Sequence, residues 1–238
     1  MSTQCMAKLL ENLNKNTELT NVKVAQLIVS HMKPSWPKPV KYIGGGSYGR
    51  VYETSDGRLM KFVRGYQPVE YEALKNLQNT QVVPHFRNGN SFIMNMRPIR
   101  KYVSRHMFRK NIREDNLTVF MMSKVGGPNP MTFRQYMNKY TTNQKLYEQK
   151  MEEARGRIKN IIEKLYVHGW SHSNLHDENL IVQLNSGGKI VGMWAIDFGM
   201  AKKFKKENKN IPENNRNLAA LYGFTTNNFR RIQGIRAH

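Results

Sequence analysis

Apolar positions change period several times along the chain, and each change marks an element. Leu9, Leu10 and Leu13 recur at helical spacing, as do Val22, Val24, Ala25, Leu27 and Ile28, so two short helices flank the polar stretch 14–21. Pro34, Pro37 and Pro39 break that pattern and form a junction. From 42 to 63 the sequence predicts three antiparallel strands, separated by a glycine-rich turn and by Ser55-Asp56-Gly57. Leu74 and Leu77 give 70–77 helical spacing, and 91–96 and 117–122 read as further strands. After Gly126-Gly127 the period becomes helical, first over 133–140 and then in a long amphipathic stretch carrying Ala154, Ile158, Ile161, Ile162 and Leu165 on one face. Gly169 is placed to end it. Segments 180–184 and 189–196 form a hairpin around Asn185-Ser186-Gly187-Gly188. Beyond Lys202 the chain is polar, basic and asparagine-rich, with apolar anchors only at 218–224.

Composition changes this picture in one respect. Hydrophobic residues are 39% and aromatics 10% of the 238 residues, enough to build a core. Against that, 38 Lys+Arg face 17 Asp+Glu, a formal charge of +21, which points to an anionic partner without choosing among nucleic acid, lipid head groups, acidic protein and nucleotide. The one cysteine, Cys5, excludes an internal disulfide and a cysteine zinc cluster. The apolar run 191–196 is far too short for a membrane span, and the first thirty residues are too polar for a secretory signal. The sequence therefore reads as an intracellular protein without a membrane span.

Two motifs carry candidate chemistry. Gly44-Gly45-Gly46-Ser47-Tyr48-Gly49-Arg50-Val51 satisfies G-x-G-x-x-G-x-V between two predicted strands. Glycines there let backbone N–H groups approach phosphate oxygens without a Cβ in the way. Alone the motif reads better as a hairpin turn with no ligand, and its strand-turn-strand setting argues against a dinucleotide-binding loop, which opens a helix. The second motif is Asp197-Phe198-Gly199 after a strand-like run, preceded by His172-Ser173-Asn174-Leu175-His176-Asp177-Glu178-Asn179.

Taken in order, the glycine-rich loop, a strand lysine, a helix glutamate, an H-x-x-L-x-x-x-N loop and D-F-G resemble the protein-kinase-like family over roughly residues 41–199. The resemblance implies an α+β, two-lobed fold: a helical extension at 1–40, an antiparallel small lobe at 41–125, and a mainly helical, shortened large lobe with a basic tail at 126–238. It implies ATP and Mg²⁺ as cofactors. On these positions, Gly44, Gly46, Ser47, Gly49 and Val51 would cover the nucleotide, and Lys61 would hold its phosphates. Glu70 would pair with Lys61, with Glu72 as the competing choice. Met121, in the expected hinge region 119–125, would lie near the back of the adenine pocket. Asn179 and Asp197 would be the metal ligands, an amide oxygen and a carboxylate of the hard-donor type that Mg²⁺ takes.

The sequence also departs from the family. Asn174 stands where the family has the aspartate that orients the substrate hydroxyl, and an amide cannot act as a general base. Phosphoryl transfer is therefore expected to be weak or absent, a divergent Ser/Thr-kinase-like chain or pseudokinase, with Asp177 not placed to substitute. Ser173 replaces the usual arginine, which removes the charge partner of a phosphorylated activation loop. Only 39 residues follow Gly199, and Ile211-Pro212-Glu213 reads as a chance turn, so the peptide-substrate platform is largely missing. His168, His172 and His176 lack metal spacing, and His172 reads as a structural loop histidine.

Arg97, Arg100, Lys101, Arg105, Arg109, Lys110 and Arg113 form the densest basic segment, and Lys202-Lys203-Phe204-Lys205-Lys206 opens the tail. Both are either solvated faces or contacts to an acidic or nucleic-acid partner through phosphates, without base specificity. The alternative to an ATP-binding protein is thus a non-catalytic basic scaffold on a kinase-like fold. Such trimmed chains are similar to proteins of large DNA viruses, where a virion-associated role fits.

Overall fold

The computed structural model describes residues 3–16, 18–46, 49–65, 69–108 and 113–203. These residues divide between two units, one within Met1–Pro68 and Phe86–Lys124, the other within Val69–His85 and Val125–His238.

In the first unit, α1 (Thr3–Lys15) and α2 (Asn21–Met32) precede β1 (Pro39–Gly45), β2 (Gly49–Thr54) and β3 (Leu59–Arg64). The Thr20 side chain caps α2 by accepting from the Lys23 N–H at 3.1 Å. At the β2–β3 turn, Gly57 takes φ +80° and Asp56 accepts from Thr54 Oγ1 at 2.6 Å. β4 (Phe86–Asn95) and β5 (Asn116–Met122) complete an antiparallel sheet ordered β1-β2-β3-β5-β4. One face of that sheet, carrying Tyr52, Met60, Phe62, Val119 and Met121, shares a core with Leu9 and Leu13 of α1 and with Val24, Ile28 and Val29 of α2. The two N-terminal helices therefore help to close the sheet's apolar face.

Between β4 and β5 the basic segment is helical from 97 to 108, in three successive geometries: a 3₁₀ turn at Arg97–Ile99, the short α4 (Arg100–Tyr102) and a π-helical turn at Val103–Phe108. Ile99, Val103 and Met107 are buried in the same core, four residues apart, while Arg97, Lys101 and Arg105 are exposed at the same spacing. The segment is amphipathic, with the cations on its outer edge. Arg109 and Lys110 lie outside the described residues.

The second unit contains α3 (Val69–Leu77), β6 (Met131–Thr132), α5 (Phe133–Met137), α6 (Gln144–Val167), β7 (Trp170–Ser171), β8 (Leu180–Leu184), β9 (Ile190–Ala195) and β10 (Lys202–Lys203). β6, β8 and β9 form one sheet, and β10 pairs with β7. α5 begins with a reciprocal capping box between Thr132 and Gln135. α6 buries Ala154, Ile158, Ile161, Ile162 and Leu165, and the chain leaves it through Gly169 at φ +76°. α3 packs against the turn at Phe198–Met200, so it groups with the second unit, whereas the sequence reading drew a single boundary near 125. The tail from 204 onward, with Lys205, Lys206 and Ile211-Pro212-Glu213, lies outside the described residues. No helix among the described residues is long and apolar enough to cross a membrane.

Candidate functional site

The first unit gathers the glycine-rich residues and the strand lysine on adjoining strands. Gly44 pairs with Val51 across β1 and β2, and Val51 pairs in turn with Lys61 on β3. Lys61 is buried, 7% exposed, and Gly49 lies beside its stem: a Cβ added at Gly49 would come within 2.9 Å of Lys61 Cε and 3.2 Å of the Phe62 carbonyl. Glycine at 49 thus leaves room for the lysine side chain to pass. Ser47 lies outside the described residues.

Two features of this half were not drawn from the sequence. The first is Gly45, where an added Cβ would sit 2.4 Å from the Gly49 carbonyl and 2.7 Å from Arg50 Cδ, while Gly44 and Gly46 have open space. The crowded glycine is thus an "x" of the motif. The second concerns β5. Lys61 pairs with Phe120 and Met60 pairs with Met121, so strand alternation puts Met121 on the opposite face from Lys61, in the core shared with the helices. On the lysine's face β5 carries Thr118, Phe120 and Met122, all buried. A strand's period of two could have supplied this, but only with the β3–β5 register known.

The second unit gathers the loop residues. The Asn179 side-chain nitrogen donates to the Asn174 carbonyl at 3.0 Å. Since a carbonyl only accepts, the bond fixes the amide's orientation, which leaves Oδ1 as the atom a cation could use. His176 Nε2 lies 3.0 Å from the same amide nitrogen. The Asn179 carbonyl accepts from the Ile196 N–H at 2.9 Å, which brings Asp197, the next residue, beside Asn179. Asp197 is exposed and adopts a left-handed backbone, φ +62° and ψ +65°, a conformation that favours glycine and marks a constrained position. Ser173 is also left-handed, at φ +57°.

His172 holds this loop from below. It is fully buried, its Nε2 donates to the Ile196 carbonyl at 2.8 Å, and its ring packs 4.5 Å from the Phe198 ring. Burial is the main cause that lowers its pKa from 6.5 to about 4, so the ring is neutral, as a structural histidine should be. Glu70 is buried on α3, and Glu72 of the same helix is exposed.

The structure also gives Asp177 a role of its own. Its two oxygens receive Arg134 Nε at 3.0 Å and Nη2 at 2.9 Å, a fork that fixes both lone-pair sets, while Arg134 Nη1 reaches Glu178 at 2.5 Å. The hydrogen bond to Asp177 is the leading cause that raises the Arg134 pKa. Asp177 is thus committed to a structural pair with Arg134.

No protein-family profile and no curated protein sequence matches the chain. Among solved structures it is similar to WaaP in complex with acyl carrier protein, at a TM-score of 0.51 and 14% identity, over 78% of this chain and 70% of that one. That neighbour is kinase-like.

The fold here is kinase-like.

At 14% identity the likeness speaks for the fold alone. In kinase-like terms the five-stranded sheet belongs to the small lobe, and α5, α6 and the loop 172–179 belong to the large one.

Proposed function

We propose that this protein is a divergent Ser/Thr-kinase-like chain that binds ATP with Mg²⁺ and transfers phosphate weakly or not at all. One observation carries the reading: Asn179 and the backbone of residues 174 and 196 are hydrogen-bonded into one loop, with the left-handed Asp197 beside it. That arrangement presents an amide oxygen and a carboxylate, both hard donors of the kind Mg²⁺ prefers. Among the described residues no group of three or more His, Cys, Asp or Glu could hold a metal ion. A two-donor site suits Mg²⁺ that takes its remaining ligands from phosphates and water. Bound Mg²⁺ would neutralise charge on the β and γ phosphates.

The chain's own groups have the following roles. Backbone N–H groups of Gly44, Gly46 and Gly49 face the phosphates, and Lys61 supplies the fixed positive charge. Val51, with Phe120 and Met122 in place of Met121, covers the adenine. Glu70 is the buried carboxylate of the two candidates on α3. Asn174 positions the acceptor hydroxyl but takes no proton from it, and this is why transfer is weak.

The test is thermal unfolding with and without MgATP. At a hundred times its Kd, a nucleotide stabilises the chain by about 2.7 kcal/mol, and Asp197→Ala should shrink the shift. A wild-type chain that does not shift would sink the proposal. In a phosphorylation assay Asn174→Asp should raise the transfer rate by about 10²- to 10⁴-fold, the usual worth of a general base. Robust wild-type activity that Asp197→Ala abolishes would overturn the pseudokinase part.

A second reading, a basic scaffold that contacts nucleic acid, is favoured by the exposed cation edge Arg97, Lys101 and Arg105. Nucleic-acid retention that falls steeply with salt, together with no response to nucleotide, would favour it.

A further inference from the structure

Arg50 follows the last glycine of the loop and makes several long-range polar contacts within the first unit. Its Nε donates to the Met107 carbonyl at 2.8 Å and its Nη2 to the Phe108 carbonyl at 2.9 Å, 57 and 58 residues along the chain. Nη1 donates to the Gly49 carbonyl at 2.8 Å and also to the Gly46 carbonyl. The guanidinium carbon stands 5.0 Å from the centroid of the Phe108 ring. One planar cation thus joins carbonyls on both sides of Ser47-Tyr48 to the last two carbonyls of the π-helical turn.

Each partner has a reason to be there. Carbonyls at a helix C-terminus have no acceptor role within the helix and carry partial negative charge, so a cation suits them. The guanidinium fork is the one side chain with enough rigidly spaced donors to serve four acceptors at once. Gly45 is bare because the Arg50 stem crosses it: an added Cβ would lie 2.7 Å from Arg50 Cδ. The turn receiving the fork is anchored by buried Val103, Met107 and Phe108, so it is a firm support.

We infer that Arg50 is a positioning residue that fastens the glycine-rich loop to the helical segment 97–108 and so holds its backbone N–H groups in place for the nucleotide phosphates. The inference rests on the ATP reading above and adds the device that sets the loop. A run of glycines has more backbone freedom to lose than any other sequence, and a loop already ordered loses less of it on binding.

The experiment uses the full-length chain and three proteins: wild type, Arg50→Met, which keeps the stem, and Arg50→Lys, which keeps the charge but not the fork. Kd for MgATP and for adenosine is measured by calorimetry, and amide exchange over 44–50 by mass spectrometry. The expected result is a roughly 10-fold weaker MgATP affinity in both variants, unchanged adenosine affinity, and faster exchange over 44–50. Wild-type MgATP affinity in Arg50→Lys would overturn the inference, because charge near phosphate would then suffice. Equal losses for ATP and adenosine would overturn it too, as a general structural effect. If Arg50→Met fails to fold, Arg50→Lys carries the test. Should the wild-type chain bind no nucleotide, the ATP reading fails by itself, and the exchange arm still decides: unchanged protection over 44–50 means that Arg50 fastens nothing.

Discussion

Glycine at position 45 shows how a single residue can matter for a reason the motif does not encode. The pattern counts Gly44, Gly46 and Gly49, yet the backbone comes closest at Gly45, whose missing Cβ makes room for the Gly49 carbonyl. Gly45→Ala should destabilise the chain by about 1–3 kcal/mol through overpacking, while Gly44→Ala, in open space, should stay within about 0.5 kcal/mol. Urea titrations of the two variants give the comparison, and equal losses would contradict the close approach. His172 makes a pH prediction of the opposite kind. Its pKa is lowered to about 4 in the folded chain by burial, whereas an unfolded histidine titrates near 6.5. Its contribution is therefore fully present above pH 6.5 and is lost as pH falls toward 4, because the unfolded chain takes up the proton first. Denaturant midpoints at pH 7.5 and 5 should fall further apart in the wild type than in His172→Gln. A variant with the same pH slope as the wild type would remove His172 as the cause.

Among the elements, the pairing of α5 with the loop 172–179 is the most exposed to test. Arg134 is the second residue of a capped five-residue helix and grips Asp177, whose side chain is 6% exposed while the arginine's is 32% exposed. Removing the arginine would leave a nearly buried carboxylate unpaired, so Arg134→Met should cost about 2–3 kcal/mol, below the cost of a fully buried pair because the arginine is partly in water. Double substitution with Asp177→Asn should recover part of the loss, and a strictly additive pair would argue against the fork.

The elements were mostly legible in the sequence, because period, caps and glycine turns agree at α1, α2, α6 and the β8–β9 hairpin. Three things were not. The segment 97–108 hid a helix behind its cations, although Ile99, Val103 and Met107 stand four apart. Nothing in the sequence fixes which residues of β5 share a face with Lys61, and a one-residue change of register reverses the sheet face, so the position of Met121 in the core shared with the helices is not legible there. The fork of Arg50 joins positions 57 and 58 residues apart, beyond the reach of any local pattern.

Across the molecule the surplus charge is unevenly shared. Residues 1–68 and 86–124 contain 19 lysines and arginines against 6 carboxylates. Five of those carboxylates are paired: Glu11 with Lys15, Glu53 with Lys124, Asp56 with Arg58, Glu114 with Arg64 and Asp115 with Arg100. Little negative charge is left to offset Arg97, Lys101 and Arg105, all exposed on one edge. The rest of the chain, residues 69–85 and 125–238, holds 19 lysines and arginines against 11 carboxylates, and seven of those cations fall in the tail beyond 203. If nucleic acid contacts the first unit's exposed edge, each of Arg97→Gln, Lys101→Gln and Arg105→Gln should lower the slope of log K against log salt by roughly 1. Filter binding from 50 to 200 mM salt reads this directly, and an unchanged slope in the triple variant would move the contact elsewhere.

The sharing of one core by α1, α2 and the sheet also decides how the protein can be handled. A fragment cut at residue 41 to match the kinase-like motifs would strip Leu9, Leu13, Ile28 and Val29 from the apolar face formed by Tyr52, Met60, Phe62 and Val119. Such a fragment would present a sticky, contiguous surface to its neighbours and be recovered in inclusion bodies, whereas the same cut in a chain whose leading helices stood apart would yield a well-behaved domain. The unit of inheritance suggested by the motifs and the unit that survives expression are therefore different lengths of chain.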